Sequence, residues 1–236
     1  MIESELNTNN AINHEKIGRA LCLLSGGQDS TTCLYWAKKT FAEVEAIRFD
    51  YGQRHRVELE CSEKIARDAG VKLTTLSVEA LKQLGGFALT ADIDVKSDMN
   101  DKGLPNTFVP GRNILFLTLA AAYAYQHGIT DLVTGVCETD YSGYPDCRLE
   151  TIEATRKAIN LGMAQEFAIW TPLMFLTKGG TVDLARKLGC LEIVKTDTHT
   201  CYNGVRDELH YWGYGCGECG ACVLRKKGFD EAGVVN

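Results

Sequence analysis

The chain has no apolar run approaching the length of a membrane span, and its first ten residues, MIESELNTNN, are polar and acidic rather than basic and then apolar. A transmembrane helix and a secretory signal are both excluded on that reading, and residues 1–16 read as a loose tail. Basic residues are not in excess. Asp and Glu number 31 against 25 Lys and Arg, for a net charge of −6, whereas proteins that grip nucleic acid usually present a basic face. The balance therefore favours a small molecule over tRNA as substrate. There is no internal repeat, no low-complexity tract and no evident Ser/His/Asp triad. Residue 2 is Ile, so removal of Met1 exposes no N-terminal nucleophilic cysteine. At 236 residues the chain fits one sizeable domain with a small appendage, leaving no room for a glutaminase unit.

What is present begins with Ser25-Gly26-Gly27-Gln28-Asp29-Ser30. It follows the apolar run Ala20–Leu24 and opens a stretch that reads as a helix from Ser30 to about Lys39. A strand, a Gly-Gly turn and a helix N-terminus together make an anion site. Glycine lets the backbone come close, the first helical N–H groups lack partners in the chain, and the helix dipole adds positive charge. No Gly-Lys-Ser/Thr follows the glycines, so this is not a Walker A loop. The glycines are adjacent, so it is not a dinucleotide fingerprint either. The hexapeptide instead resembles the signature of the PP-loop ATP pyrophosphatases. That resemblance implies ATP held across Leu23, Leu24, Ser25, Gly26, Gly27, Gln28, Asp29, Ser30, Thr31, Thr32 and Cys33, and cleaved between its α and β phosphates. Ser25 and Ser30 would donate hydroxyls, and Asp29 would help place Mg²⁺.

Short apolar runs alternate with helical ones along the rest of the chain. Val44–Phe49 reads as a strand and Asp50–His55 as a polar turn. Val57–Ala69 carries Val57, Cys61, Ile65 and Ala69 at fourfold spacing, a helical stripe stopped by Gly70. Val71–Val78 reads as a strand, residues 82–110 as an irregular loop of a length usually functional or mobile, and Ile114–Gln126 as an apolar helix buried on most sides. A strand over Asp131–Val136, helices over Leu149–Gly162 and Lys178–Leu188, and a last short strand at Ile193-Val194 follow. This order predicts an α/β fold, a parallel sheet wrapped by helices, with ligands beyond the C-terminal strand ends. The boundaries are 17–195 for the nucleotide domain, 196–227 for a C-terminal segment, and tails at 1–16 and 228–236.

Ten cysteines are present, and a cytosolic location would keep them reduced. Cys22, Cys33, Cys61, Cys137, Cys147 and Cys190 are scattered, and read mostly as small buried hydrophobes. Cys216, Cys219 and Cys222 lie at x2 spacings, with Cys201 upstream. Four thiolates suit one tetrahedral, structural Zn²⁺. An iron–sulfur cluster and a pair of disulfides are the competing readings, and His199 or His210 could stand in for Cys201 as fourth ligand.

Taken together, LLSGGQDSTTC (23–33), DYGQRH (50–55), VPGRN (109–113), Thr134–Val136, Glu138–Asp140, YSGYPDC (141–147), Thr171–Met174 and Thr200–Gly204 with CGECGAC resemble the 7-cyano-7-deazaguanine synthases of queuosine precursor biosynthesis. The stretch Val205–Tyr214 looks longer than the compact loop expected of that family. The resemblance implies an ATP-dependent carbon–nitrogen ligase that converts 7-carboxy-7-deazaguanine and free ammonia to the nitrile through adenylated carboxylate and amide intermediates. Around that reaction, Arg112 would clamp a carboxylate or phosphate, Glu138, Asp140 and Asp146 would read the guanine-like edge, and Tyr141 or Tyr144 would stack on the ring. Lys178 would steady the α-phosphate, with Gln53 and His55 near the reacting groups. A homodimer is a possible assembly. The alternatives are a PP-loop tRNA thiolation enzyme, which calls for a basic surface and a reactive cysteine, and a non-enzymatic nucleotide-binding module.

Overall fold

The computed structural model describes residues 16–53, 56–84, 104, 107–139 and 143–234. Five strands form one parallel sheet in the order β3-β2-β1-β4-β5, with β1 Ile17–Leu23, β2 Phe41–Asp50, β3 Lys72–Ser77, β4 Asp131–Val133 and β5 Ala168–Trp170. The helices are α1 Gln28–Thr40, α2 Val57–Ala69, α3 Glu79–Leu84, α4 Arg112–His127, α5 Leu149–Met163, α6 Lys178–Lys187, α7 Leu191–Asp197 and α8 Gly220–Glu231. A two-stranded hairpin, β6 Leu209–His210 and β7 Gly213–Tyr214, precedes α8. None of the described helices is long and apolar enough to cross a membrane.

The middle of β1 is buried on both faces, as a central parallel strand must be. Successive side chains point to opposite sides of the sheet. Leu21 accordingly joins the core that holds Ile47, Leu132 and the buried stripe of α4, while Ala20 and Cys22 join the core of α1 and α2. A third cluster, with Val182, Val194, Trp212, Cys222 and Phe229, binds the C-terminal elements to α6 and α7. The chain leaves β1 in one direction along the sheet to β2 and β3, and later returns on its other side through β4 and β5. The β1–β4 boundary is thus the topological switch point, where a crevice opens beyond the strand ends.

Several expectations change. Ile193-Val194 is not a strand but part of α7, with Val194 buried in the third cluster; a short apolar pair has no period of its own and packing decides its state. The helix α4 begins earlier, at Arg112, and buries one stripe (Leu117, Ala120, Ala121, Ala124) rather than most of its sides. Within the long stretch 82–110, α3 extends to Leu84, and residues 85–103 lie outside the described residues. The helix α8 carries the chain through residues 228–231, past the end expected for the C-terminal segment, with Phe229 fully buried.

Candidate active site and four-cysteine centre

The loop after β1 sits at the switch point. Gly26 has φ +93°, and a Cβ there would run into the Glu58 carbonyl oxygen, so only glycine lets the loop pass α2. The N-cap of α1 is Gly27, and the helix's first internal bond is Thr31 N–H to Gly27 O at 3.1 Å. The N–H groups of Gln28, Asp29 and Ser30 therefore face out of the helix end, where an anion is favoured. Ser25 Oγ and Ser30 Oγ lie 3.0 Å apart, and Ser30 Oγ donates to Gly27 O. These hydroxyls shape the turn. Gly135, after β4, closes the other wall, since a Cβ on it would lie 3.1 Å from the backbone of Asp29 and Ser30.

A cavity of about 360 Å³ opens over this loop. Leu23, Leu24, Ser25, Gly27, Gln28, Asp29 and Ser30 line it. Thr31, Thr32 and Cys33 do not; they are fully buried in α1, where Thr31 and Thr32 bond back to carbonyls four residues earlier. Lys178, the first residue of α6, donates to Asp29 Oδ2 at 2.7 Å across 149 positions of sequence. Arg112 also lines the cavity, its guanidinium 5.9 Å from the Tyr51 ring. Gln53 and Tyr144 are on the wall as well, Gln53 accepting from Tyr51 N–H and Tyr144 bonding Thr107 Oγ1 at 2.6 Å.

The acidic set divides. Glu138 is exposed, and its Oε2 accepts from Leu149 N–H at 3.0 Å, at the start of α5. Asp146 is buried outside the cavity wall and accepts from Asn113 N–H at 3.0 Å, at the start of α4. Both carboxylates hold helix N-termini, a use that needs the same acceptor chemistry as reading a base. Asp140, Tyr141 and His55 lie outside the described residues.

One residue on the wall escaped the sequence reading. Glu58, in the first turn of α2, lines the cavity, and burial pushes its carboxyl up to about 7, with Arg112 opposing the rise. Its signal was an acid in register with Ser62, Ile65 and Ala69, the buried face of α2. The cysteines that flank the loop in sequence behave otherwise. Burial pushes the Cys22 thiol up to about 12 and that of Cys33 well up, so neither is a ready thiolate.

The ligand atoms of Cys201, Cys216, Cys219 and Cys222 all lie within 4.8 Å of one another, and all ten cysteines are free of disulfides. Four sulfurs about 2.3 Å from a shared centre need such spacing, so the donor set fits a tetrahedral ion. Val205–Tyr214 does not pull Cys201 away. The β6–β7 hairpin folds back the extra length, with Trp212 buried and stacked on His210 at 4.4 Å. The ring Nε2 of His199 meets Cys201 O, and that of His210 meets Gly215 O, each at 2.9 Å, so neither ring takes the place of Cys201. Asn203 Nδ2 and Cys219 N–H point at Cys216 Sγ, hydrogen bonds that favour a thiolate.

Residues 19–233 match the family model described as queuosine biosynthesis protein QueC. The 7-cyano-7-deazaguanine synthase of Nitrobacter winogradskyi is 52% identical over 225 residues, covering 90% of this chain and 94% of the relative. That of Burkholderia mallei (strain SAVP1) is 52% identical over 227 residues, covering 89% and 91%. A crystal structure of a 4-thiouridine synthetase with RNA and bound ATP superposes with a TM-score of 0.52 at 18% identity, over 92% of this chain and 50% of that one, a likeness of fold alone. A match along nearly the whole chain, reaching from before the phosphate loop to beyond the last cysteine, means that the chain belongs to the QueC family of queuosine biosynthesis, ATP-dependent ligases whose relatives are 7-cyano-7-deazaguanine synthases.

Proposed function

We propose that this chain adenylates 7-carboxy-7-deazaguanine at the Ser25–Ser30 loop, aminates it with free ammonia, and dehydrates the resulting amide to the nitrile. The observation that carries the reading is the loop itself, with three outward amides at the switch point and the Asp29–Lys178 pair beside it. A carboxylate is a poor electrophile because oxide is a poor leaving group. Attack of its oxygen on the α-phosphorus releases pyrophosphate and leaves an acyl adenylate. Ammonia then adds to the carbonyl carbon, AMP departs and one proton is lost. A second attack, by the amide oxygen, releases another pyrophosphate. Loss of AMP and of both nitrogen protons then forms the carbon–nitrogen triple bond.

The roles follow from position and charge. The amides of residues 28–30, with Ser25 and Ser30, would cradle the departing pyrophosphate, and Lys178 would meet the α-phosphate. Asp29 is the carboxylate on the loop, and Mg²⁺ commonly takes one or two carboxylates plus phosphate oxygens, so the donor set fits that ion; when bound it neutralises pyrophosphate charge. Arg112 would hold the substrate carboxylate in its fork. Glu58 faces the same cavity and is poised to take the proton that the attacking nitrogen sheds. The base would lie between Arg112 and the Tyr51 and Tyr144 side of the cavity, with Asp140 and Tyr141 as further readers of its edge.

We assign zinc to the four cysteines, as a closed site with a structural role. Leu209 and Val223, large apolar side chains about half exposed near that site, favour a homodimer through the C-terminal segment. The free thiols suit the reducing interior of a cell. The test is incubation with ATP, Mg²⁺, ammonium and the carboxy base, following AMP, pyrophosphate and product mass. AMP and nitrile are expected in a two-to-one ratio. Accumulation of ADP in place of AMP would end the proposal.

A further inference from the structure

We propose that Arg225 is a positioning residue of the nucleotide site, and that through it and Gly228 the last helix sets the shape of the phosphate loop. The proposal rests on the reading that ATP binds that loop.

Arg225 is 1% exposed, and no described carboxylate pairs with it. Its donors are nonetheless all used. Nε donates to Trp212 O at 2.7 Å, and Nη2 to Val194 O at 2.6 Å and Lys195 O at 3.5 Å. Nη1 donates to Thr198 Oγ1 and Thr200 Oγ1, each at 2.8 Å. A buried cation without a paired anion is costly, and a hydrophobic side chain would fill the same space at less cost. The guanidinium does what a hydrophobe cannot. It fastens both ends of the three-residue strap 198–200. The middle of that strap is His199, whose main-chain N–H donates to Gly26 O at 3.0 Å. Gly26 is the left-handed glycine of the phosphate loop. Arg225, the strap and the loop therefore form one continuous hydrogen-bonded path, and Arg225, Thr200 and His199 all reach the cavity wall.

Electrostatics runs along the same path. Burial pushes the Arg225 guanidinium down to about 10, while Cys222 and Asp29 oppose that loss of charge.

A second contact reaches the site from the same helix. A Cβ on Gly228 would lie 2.8 Å from Lys178 Cβ, and one on Gly179 would lie 2.7 Å from Glu231 Cβ. Helices α8 and α6 meet with no room for side chains there, and Glu231 Oε2 accepts from Gly179 N–H at 3.2 Å. The contact fixes the turn that presents Lys178 to Asp29. The segment that carries three of the four cysteines is in this way also a wall of the ATP site.

The experiment uses the full-length, metal-loaded chain with Arg225→Met, Arg225→Lys and Thr198→Val, and Lys226→Ala, on the exposed side of α8, as control. Metal-to-protein ratio, far-UV circular dichroism and AMP formation are measured, varying ATP and the carboxy base separately. Arg225→Met is expected to keep its metal and secondary structure, to raise KM for ATP at least tenfold, and to leave KM for the base within twofold. Arg225→Lys, which keeps the charge but loses the fork, is expected to recover part of the loss. Lys226→Ala should match the parent in every readout. Should Arg225→Met fail to fold, Thr198→Val, close to isosteric, carries the test and should show the same ATP-selective rise. An unchanged KM for ATP in the folded variants, or an equal rise for both substrates, overturns the inference. A parent chain that yields no AMP from ATP overturns instead the assignment of the loop.

Discussion

Around Gly26 the chain is held by the buried sheet, whereas around Cys216–Cys222 it winds about four converging cysteines on a smaller core. The phosphate loop hangs from a strand whose central residues are fully buried on both faces, and it is wedged between α2 and the Gly135 turn. The four-cysteine region has a two-residue hairpin, glycine-rich turns and one helix to hold it, with only part of the small third core beneath. Both regions use glycine for close turns. One needs them so that a ligand can approach backbone amides, and the other so that four sulfurs can converge. The first should survive loss of its ligand. The second should not survive loss of the metal proposed for its four cysteines.

The largest expected effect tests that contrast. Metal binding by isolated zinc-finger peptides is worth roughly 10–16 kcal/mol, comparable to the ~5–15 kcal/mol that holds a whole domain. Cys219→Ser should therefore lose its metal and give insoluble protein, or protein clipped rapidly after residue 200 by added protease. Metal analysis and limited proteolysis decide it. A soluble, metal-free, fully active variant would remove the structural role of the centre. On the other side of the comparison, Asp29→Ala should lower AMP formation at least ~100-fold, the scale of losing a site's electrostatic support, while metal content and unfolding midpoint stay put. Turnover equal to the parent's would take Asp29 out of the nucleotide site.

Glu58 gives a smaller, pH-dependent effect. Its folded pKa of about 7 lies above the ordinary 4.5, so the fold disfavours the ionised form. That penalty is absent below about pH 4.5, grows as pH rises through the window from 4.5 to 7, and is fully present above it. Glu58→Gln should therefore raise Tm at pH 8 and change it little at pH 5, while lowering kcat at pH 8 by about 100-fold if Glu58 accepts the proton. A Tm shift of equal size at both pH values would show that its carboxyl titrates normally. The smallest effect belongs to Glu138. Removing its bond to the start of α5 should cost about 1 kcal/mol in urea unfolding. A shift in KM for the base beyond that loss would make Glu138 a substrate contact.

The alternation of strands and helices was legible because parallel strands buried on both faces appear as unbroken apolar runs, and because glycines stop the helices. Gly70 at the end of α2 is left-handed at φ 67°, as a helix-stopping glycine should be. The strand β5 left no trace, since three residues give no period and none of them is fully buried. The loop Ser25–Ser30 and the four cysteines were readable because each chemistry depends on fixed local spacing. Glu58 was not, because its role depends on α2 turning it toward Arg112, far along the chain. Glu138 and Asp146 show the converse limit. A carboxylate in a polar loop looks the same in sequence whether it will accept from a ligand or from the first amides of a helix, and here one oxygen of each accepts from the start of a helix.

The sheet is complete once residue 170 has emerged in synthesis, but Lys178, the 198–200 strap and Arg225 all follow it. A growing polypeptide therefore has all five strands in hand before α6, the strap and α8 can wall the cavity beyond them. A prematurely terminated product that lacks α8 would carry every strand of the sheet and be missing that wall.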